Sequence, residues 1–389
     1  MASGLRAKLN ALAPAPSKPA RVGSGGLFCA SERYPLPEKF FSMDKRGLTR
    51  LGARADLDVH RCLFLDTETT GLSGGAGTVA FLVGAGYVQG ASLVVEQFLM
   101  RDYGDEPEML SRLSQLFPQF DTAVTFNGKT FDIPLLRERF TMCRMREIWK
   151  ELDQLDLLHP ARRAWKLRLG SCRLCELEGR VLGVYREGDL PGSEVPQRYF
   201  SYLSSGDFSL MEDVLRHNRQ DIASLAALLL KLSQVYANPL LQRDGRDRFS
   251  LGKVLEKQGD EEAFALFRLS DGVQEGNYRL FLLLRRKGDW EGARQALEQM
   301  VLKGQMGAIP HIELSKIYEH RQRDLRRALF YAKIALALDD GRQGAQIRKR
   351  IDRIEQKMRR QNSKKDDLQQ ISPAPLDKRV KEDECHGPV

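Results

Sequence analysis

One short stretch, Leu63-Phe64-Leu65-Asp66-Thr67-Glu68-Thr69-Thr70-Gly71, constrains this chain more than any other. An apolar run enters it and a glycine-rich turn leaves it. Side chains in a strand alternate between faces, so residues two apart point the same way. Asp66 and Glu68 are therefore expected side by side at the end of a buried strand. Adjacent carboxylates repel, and each prefers a proton or a cation. A hard divalent ion such as Mg²⁺ resolves that conflict with oxygen ligands.

Two more carboxylates stand where a partner to this pair would stand. Thr122 to Phe126 reads as a second buried strand, Asn127-Gly128 as a turn, and Asp132 as the opening of a helix through Leu135, Leu136 and Phe140. Asp221 precedes Leu225, Leu228, Leu229 and Leu232 at helical spacing. His217 lies four residues before Asp221, so the two share a helix face. A histidine beside metal-binding carboxylates is suited to take a proton from a water nucleophile. Each residue has a plainer reading in isolation: an exposed strand pair, a helix N-cap at Asp132, a solvated helix face at His217 and Asp221. Their order, each on the element the chemistry requires, favours a joint site.

The runs Asp66-Thr67-Glu68-Thr69-Thr70-Gly71-Leu72-Ser73-Gly74-Gly75-Ala76-Gly77-Thr78 and His217-Asn218-Arg219-Gln220-Asp221 resemble the DEDD group of the ribonuclease H-like superfamily, and more narrowly the YprB-like exonuclease family. Leu190-Pro191-Gly192-Ser193-Glu194-Val195-Pro196, with Tyr199, Phe200 and Tyr202 after it, extends the resemblance over roughly residues 60–235. It implies an α/β ribonuclease H-like domain, a mixed sheet with flanking helices. It also implies a 3′-to-5′ exonuclease acting on RNA or single-stranded DNA with two ions of Mg²⁺ or Mn²⁺ per site. The implied ligands are Asp66, Glu68, Asp132 and Asp221, with Asp66 bridging both ions. In such a site two metals about 4 Å apart stabilise the attacking and leaving oxygens. His217 would position water, at the spacing from Asp221 that the family uses with Tyr.

Around these ligands, Thr67, Gly75, Asn127 and Lys129 are expected to meet substrate. The small residues Gly74 to Gly77 either let backbone approach a terminal nucleotide or form a plain hairpin. Lys129 either meets phosphate or sits in a solvated turn.

The net charge of +9 suits a polyanionic partner, through counterion release from phosphates. Arg162, Arg163, Lys166 and Arg168 surround Trp165, which either stacks on a base or lies in the core. Residues 342–360 carry eight Lys or Arg against Asp352 and Glu355, and read as one helix with Ile347, Ile351, Ile354 and Met358 as its apolar stripe. Six cysteines show no disulfide framework, and the lone Cys172-x-x-Cys175 pair reads as packing rather than a zinc site. No apolar run reaches the roughly 18 residues of a membrane span. The first residues lack the continuous apolar core of a signal peptide. The expectation is a cytoplasmic chain with no membrane partner.

The chain divides into four zones. Residues 1–57 are expected to be a mostly disordered or loosely docked extension, with Phe28, Tyr34, Phe40 and Phe41 as anchors. Residues 58–237 form the nuclease domain, ended by Asn238-Pro239. Residues 245–360 hold a repeat, because Gly259-Asp260, Gly288-Asp289 and Arg323-Asp324 recur between short amphipathic helices. Period and pattern resemble tetratricopeptide repeats, which implies an all-α domain presenting a surface to a protein or a folded RNA. Residues 361–389 read as a disordered tail. The alternative to an enzyme is a nucleic-acid-binding or scaffold protein with a silent nuclease fold.

Overall fold

The computed structural model describes residues 26–71, 77–145, 152–186 and 188–370, with side chains described as far as Ser363. Six strands form one mixed sheet: β1 (Phe28–Pro35), β2 (Cys62–Thr69), β3 (Ala80–Gln89), β4 (Ser92–Leu99), β5 (Thr122–Thr125) and β6 (Asp153–Asp156). Their order across the sheet is β1-β4-β3-β2-β5-β6. The first four are antiparallel neighbours, and β5 and β6 run parallel to β2. Gln89 pairs with Ser92 across the turn between β3 and β4, and Gly90 takes the positive φ (61°) that such a short hairpin needs.

Parallel strands require crossovers, and helices supply them. Helix α1 (Lys45–Leu51) precedes the sheet's central strand. Helix α2 (Glu106–Leu116) connects β4 to β5, and α3 (Asp132–Met142) follows β5. After β6 come α4 (Leu158–Leu169) and the short α5 (Leu174–Leu177), which continues into a π turn over Glu178–Leu182. Then follow α6 (Val195–Ser205) and the long α7 (Ser209–Ala237). Strand alternation sorts β2: Leu63, Leu65 and Thr67 face one way, while Phe64, Asp66 and Glu68 face the other. Leu63 and Leu65 join a core with Leu110, Leu136, Phe140 and Tyr199 from α2, α3 and α6. Phe81 stacks on Tyr199 at 3.9 Å between ring centres.

Helix α7 packs closely on the other face because β3 presents Gly84 and Gly86 to it. A Cβ at Gly84 would fall 2.3 Å from Asn218 Oδ1, and one at Gly86 would fall 2.4 Å from Ile222 Cγ2. Behind it, α1 is equally close, since a Cβ at Gly47 would meet the Ser233 carbonyl oxygen at 2.1 Å.

Two boundaries differ from the sequence reading. The extension expected over 1–57 supplies β1, whose whole length pairs with β4, and α1, capped by Asp44, which accepts from Arg46 N at 2.7 Å. Phe40 is fully buried, as an anchor would be, and sits 6.3 Å from Phe64. Further on, the chain forms two compact units that divide between Gly272 and Val273, not at Asn238-Pro239. Helices α8 (Gly245–Gln258) and α9 (Glu262–Arg268) belong to the first unit. Arg50, 5% exposed, pairs with Asp260 and Glu262, and Arg168 pairs with Asp247 at 2.8 Å. These ion pairs tie the first of the expected repeat turns to the sheet domain.

The second unit holds α10 (Gln274–Lys287), α11 (Trp290–Leu302), α12 (Ala308–His320), α13 (Leu325–Ala337) and α14 (Gly344–Gln370). Its two hairpins turn in the same way. Gly288 (φ 80°) and Arg323 (φ 55°) take the left-handed conformation, and the following Asp289 and Asp324 cap the next helix. The basic helix of the sequence reading is α14, with Ile347 and Ile354 buried. Three of its cations, Arg350, Arg353 and Lys357, converge on the buried Glu319 at 2.6, 2.9 and 2.7 Å. No described helix is long and apolar enough to cross a membrane. The five described cysteines are free thiols.

Candidate active site

Asp66 and Glu68 project from the C-terminal half of β2 toward α7. Asp66 lies opposite Gly84 on β3, and Gly84 lies opposite Gln97 on β4. This row leaves room for a buried amide network. Gln97 Nε2 donates to Asn218 Oδ1 (2.9 Å) and to the Leu215 carbonyl (2.8 Å), and Asn218 Nδ2 donates to Asp66 Oδ2 (2.9 Å). Buried amides without partners would be costly, so the network fixes the Asp66 carboxyl and the roll of α7 together.

Asp132 reaches the site from the other face. The Thr67 hydroxyl donates to Asp132 Oδ1, so this residue holds a carboxylate. Asn127, with φ 70°, makes the turn before α3, and Asp156 holds that turn by accepting from Asn127 N (2.9 Å) and Lys129 N (3.3 Å). The Asn127 and Lys129 side chains are exposed beside it. Gly75 lies outside the described residues.

His217 and Asp221 share one face of α7. His217 Nε2 is 3.7 Å from both Glu68 Oε1 and Asp221 Oδ2, while Nδ1 is 2.8 Å from Asp189 Oδ1. The imidazole is thus oriented by one carboxylate and aimed at two others. Arg186 closes the cluster. Its guanidinium pairs with Asp221, with Glu178 at 2.6 Å and with Asp189 at 3.2 Å, and lies 3.2 Å from His217 Nδ1. Ser224 on α7 also donates to Glu178.

Burial raises Asp66 well above the usual carboxylate range, and the charges of Asp221, Glu68 and Asp132 raise it further. Glu68 rises well above that range for the same reasons, burial first and then Asp221 and Asp132, against the pull of Arg186. Asp132 is pushed up to about 6 by burial, with the Thr67 hydroxyl opposing. These hard oxygen donors, all short of positive charge, fit a divalent cation chemically. Among the described residues, no three such side chains converge on one ion position. Asn218, Thr67 and Arg186 each hold an oxygen of Asp66, Asp132 and Asp221 respectively.

Sequence reasoning missed Arg186, Glu178, Asp189, Asn218 and Gln97. Gln97 carried a signal, as a polar residue at an inward position of an apolar strand. Arg186 and Asp189 lie just before the Leu190–Pro196 run that the resemblance had marked.

The family model and the curated relative agree with this architecture. The RNase_H superfamily model matches residues 63–233, the span that holds all four carboxylates. The uncharacterized protein YprB of Bacillus subtilis (strain 168) is 31% identical over 325 residues, 80% of this chain and 77% of YprB. Among solved structures, the family B DNA polymerase from the hyperthermophilic archaeon Pyrobaculum calidifontis matches at 15% identity and a TM-score of 0.34, over 51% of this chain and 29% of the polymerase. With a ribonuclease H-like domain built around these carboxylates, and its likeness to YprB running through most of both chains, this protein belongs to the YprB family of the RNase_H superfamily.

Proposed function

We propose that this chain is a metal-dependent 3′-to-5′ exonuclease that hydrolyses RNA or single-stranded DNA. The observation that carries the reading is that carboxylates from β2, α3 and α7 lie close enough for their charges to act on one another, with Asp66 and Glu68 raised well above the usual range by burial first and then by neighbouring carboxylates. Asp66, Glu68, Asp132 and Asp221 would hold Mg²⁺ or Mn²⁺, which when bound supplies charge for the reacting phosphate and acidifies water. The remaining steps belong to the chain itself. Asn218 and Thr67 orient Asp66 and Asp132. Asp189 holds the His217 ring so that Nε2 faces the reacting edge and can accept the proton of the attacking water. Arg186 holds one oxygen of Asp221, which leaves Oδ2, the oxygen facing His217, for a metal.

The experiment incubates the full chain with matched single-stranded RNA, single-stranded DNA and duplex, with Mg²⁺, with Mn²⁺ and with EDTA. Release of nucleoside monophosphates from the 3′ end, lost in EDTA and in Asp66→Asn, is the expected result. Metal-independent cleavage would sink the reading.

A second reading, a silent nuclease fold that only binds nucleic acid, draws on the Arg186–Asp221 pair, a cation already seated on a proposed ligand. Under it, the chain binds single strands, cleaves none with either metal, and takes up no Mn²⁺ in soaked crystals. The five helices after Val273 are proposed as a tetratricopeptide-like surface for a protein or folded RNA.

A further inference from the structure

Beside the carboxylates, a cavity of about 470 Å³ opens past the C-terminal end of β5, lined by Phe126 and Asn127 and, from α4 and the segment after it, by Leu158, Arg162, Lys166 and Arg173. No Asp or Glu lines it. Strands β2, β5 and β6 run parallel, so the ends that carry Glu68, Asn127 and Leu158 lie along one edge of the sheet. Neighbouring strands are about 4.8 Å apart, so the cavity lies on the order of 10 Å along that edge from β2.

Helix α4 divides its cations by role. Arg163 donates to the Leu51 carbonyl (3.3 Å), Arg168 pairs with Asp247, and Trp165 is buried at 1% exposure. Arg162 and Lys166, one turn apart on the same face, are exposed and have no ion pair among the described residues. Among the described residues, Arg173 is paired only with Glu176, at 3.6 Å. The carbonyl end of α4, whose dipole would repel an anion, is covered by Arg180, which donates to Leu169 O at 3.2 Å. Two unpaired cations here stand over an apolar floor of Phe126 and Leu158. A polyanion with apolar rings gains from both.

We propose that this cavity binds the sugar–phosphate backbone of a single nucleic-acid strand, seating phosphates upstream of the one at the carboxylates. The inference rests on the exonuclease reading for the strand's direction. Arg162 and Lys166 neutralise internucleotide phosphate, Asn127 joins the cavity to the turn that carries Asp132, and Phe126 offers its ring to a sugar or base. The site thereby favours strands long enough to span both places and grips backbone without reading sequence.

The test compares the full-length wild type with Arg162→Ala/Lys166→Ala and Arg162→Glu/Lys166→Glu. Binding of a labelled long single strand is followed by anisotropy in EDTA across a salt series, and turnover is measured on a dinucleotide with Mn²⁺. The double alanine variant is expected to bind the long strand more weakly, and the charge reversal weaker still. Loss of two phosphate contacts should flatten the log–log salt slope by about 1.4. Dinucleotide turnover and melting temperature should match wild type. Unchanged affinity and slope in both variants would overturn the site, and so would equal losses on the dinucleotide. Weakened long-strand binding in a chain that cleaves nothing keeps the anion site while removing the exonuclease reading.

Discussion

Arg186 reaches from the segment before Leu190 to pair with Asp221 on α7, four residues after His217. One guanidinium therefore neutralises a proposed metal ligand and also spans Glu178 and Asp189. Glu178 is almost fully buried, so the guanidinium is its only nearby full positive charge among the described residues. Removing one partner of a buried pair costs about 3–5 kcal/mol, because the other charge is stranded. Arg186→Met should lower the melting temperature sharply. Adding Glu178→Gln to it should restore a good part of the loss, a coupling that a double-mutant cycle measures. Additive effects would mean that the pair is not what holds this segment.

Asp66→Asn should abolish cleavage in the presence of Mg²⁺ or Mn²⁺ and, in the metal-free protein, raise thermal stability. The folded-state values of Asp66, Glu68 and Asp132 lie above those of an unfolded chain. Their contribution is therefore fully present below the ordinary carboxylate range and is lost as pH rises through the folded values. For Asp132 that window runs from 3.8 to about 6, and Asp66 and Glu68, also raised, act in the same direction. Melting in EDTA across pH should show wild type weakening as pH rises through this window, with a shallower fall in the variant.

Turnover should fall by roughly 10²–10⁴ in His217→Ala, with little change in strand binding. Asp189→Asn, which leaves the ring in place but weakens its orientation, should cost less and should shift the pH–rate profile. A profile identical to wild type would separate Asp189 from proton transfer.

Acid should loosen the second unit through Glu319. Burial alone would raise this carboxyl, but the hydrogen bonds from Lys357 and Arg353 and the charge of Arg350 outweigh burial and bring it to about 2. A depressed folded value stabilises above the unfolded one, near 4.5, and the benefit drains away as pH falls toward 2. Glu319→Gln should remove that acid dependence, read as loss of helicity in the isolated fragment 273–389.

A cut after Gly272 should leave a first unit that melts cooperatively. A cut after Asn238 should not, since it strips Asp247, Asp260 and Glu262 from Arg168 and Arg50. Stranding the buried Arg50 alone costs about 3–5 kcal/mol. Equal melting temperatures for the two fragments would count against this assignment of α8 and α9.

The legible part of the fold was the part written in periodicity. Alternation in β2 exposed Asp66 and Glu68, and the leucines of α7 gave Asp221 its face. Strand β1 was hidden because its sequence, Phe-Cys-Ala-Ser-Glu-Arg-Tyr-Pro, mixes polar and apolar residues as an edge strand does. Its partner also lies far along the chain, Phe28 opposite Leu99. The hairpin α8–α9 carries the same glycine–aspartate turn as α10–α11, and turn chemistry is local, so it cannot say which body the hairpin packs on. Arg186 sits in an aperiodic stretch, and its partners come from three separate segments. The carboxylates could be seen as a set, whereas the groups holding each in place required the fold.

The contact between β3 and α7 has a mechanical consequence. Gly84 receives Asn218 and Gly86 receives Ile222, one helical turn further on. Two seats a turn apart stop a 29-residue rod from both sliding and spinning. A slip of one residue would swing it by about 100° and carry Asp221 away from Glu68. The spacing of the reactive edge is therefore gauged by two absent methyl groups on the strand behind it. Gly84→Ala, a change that touches no carboxylate, would throw that gauge out of true.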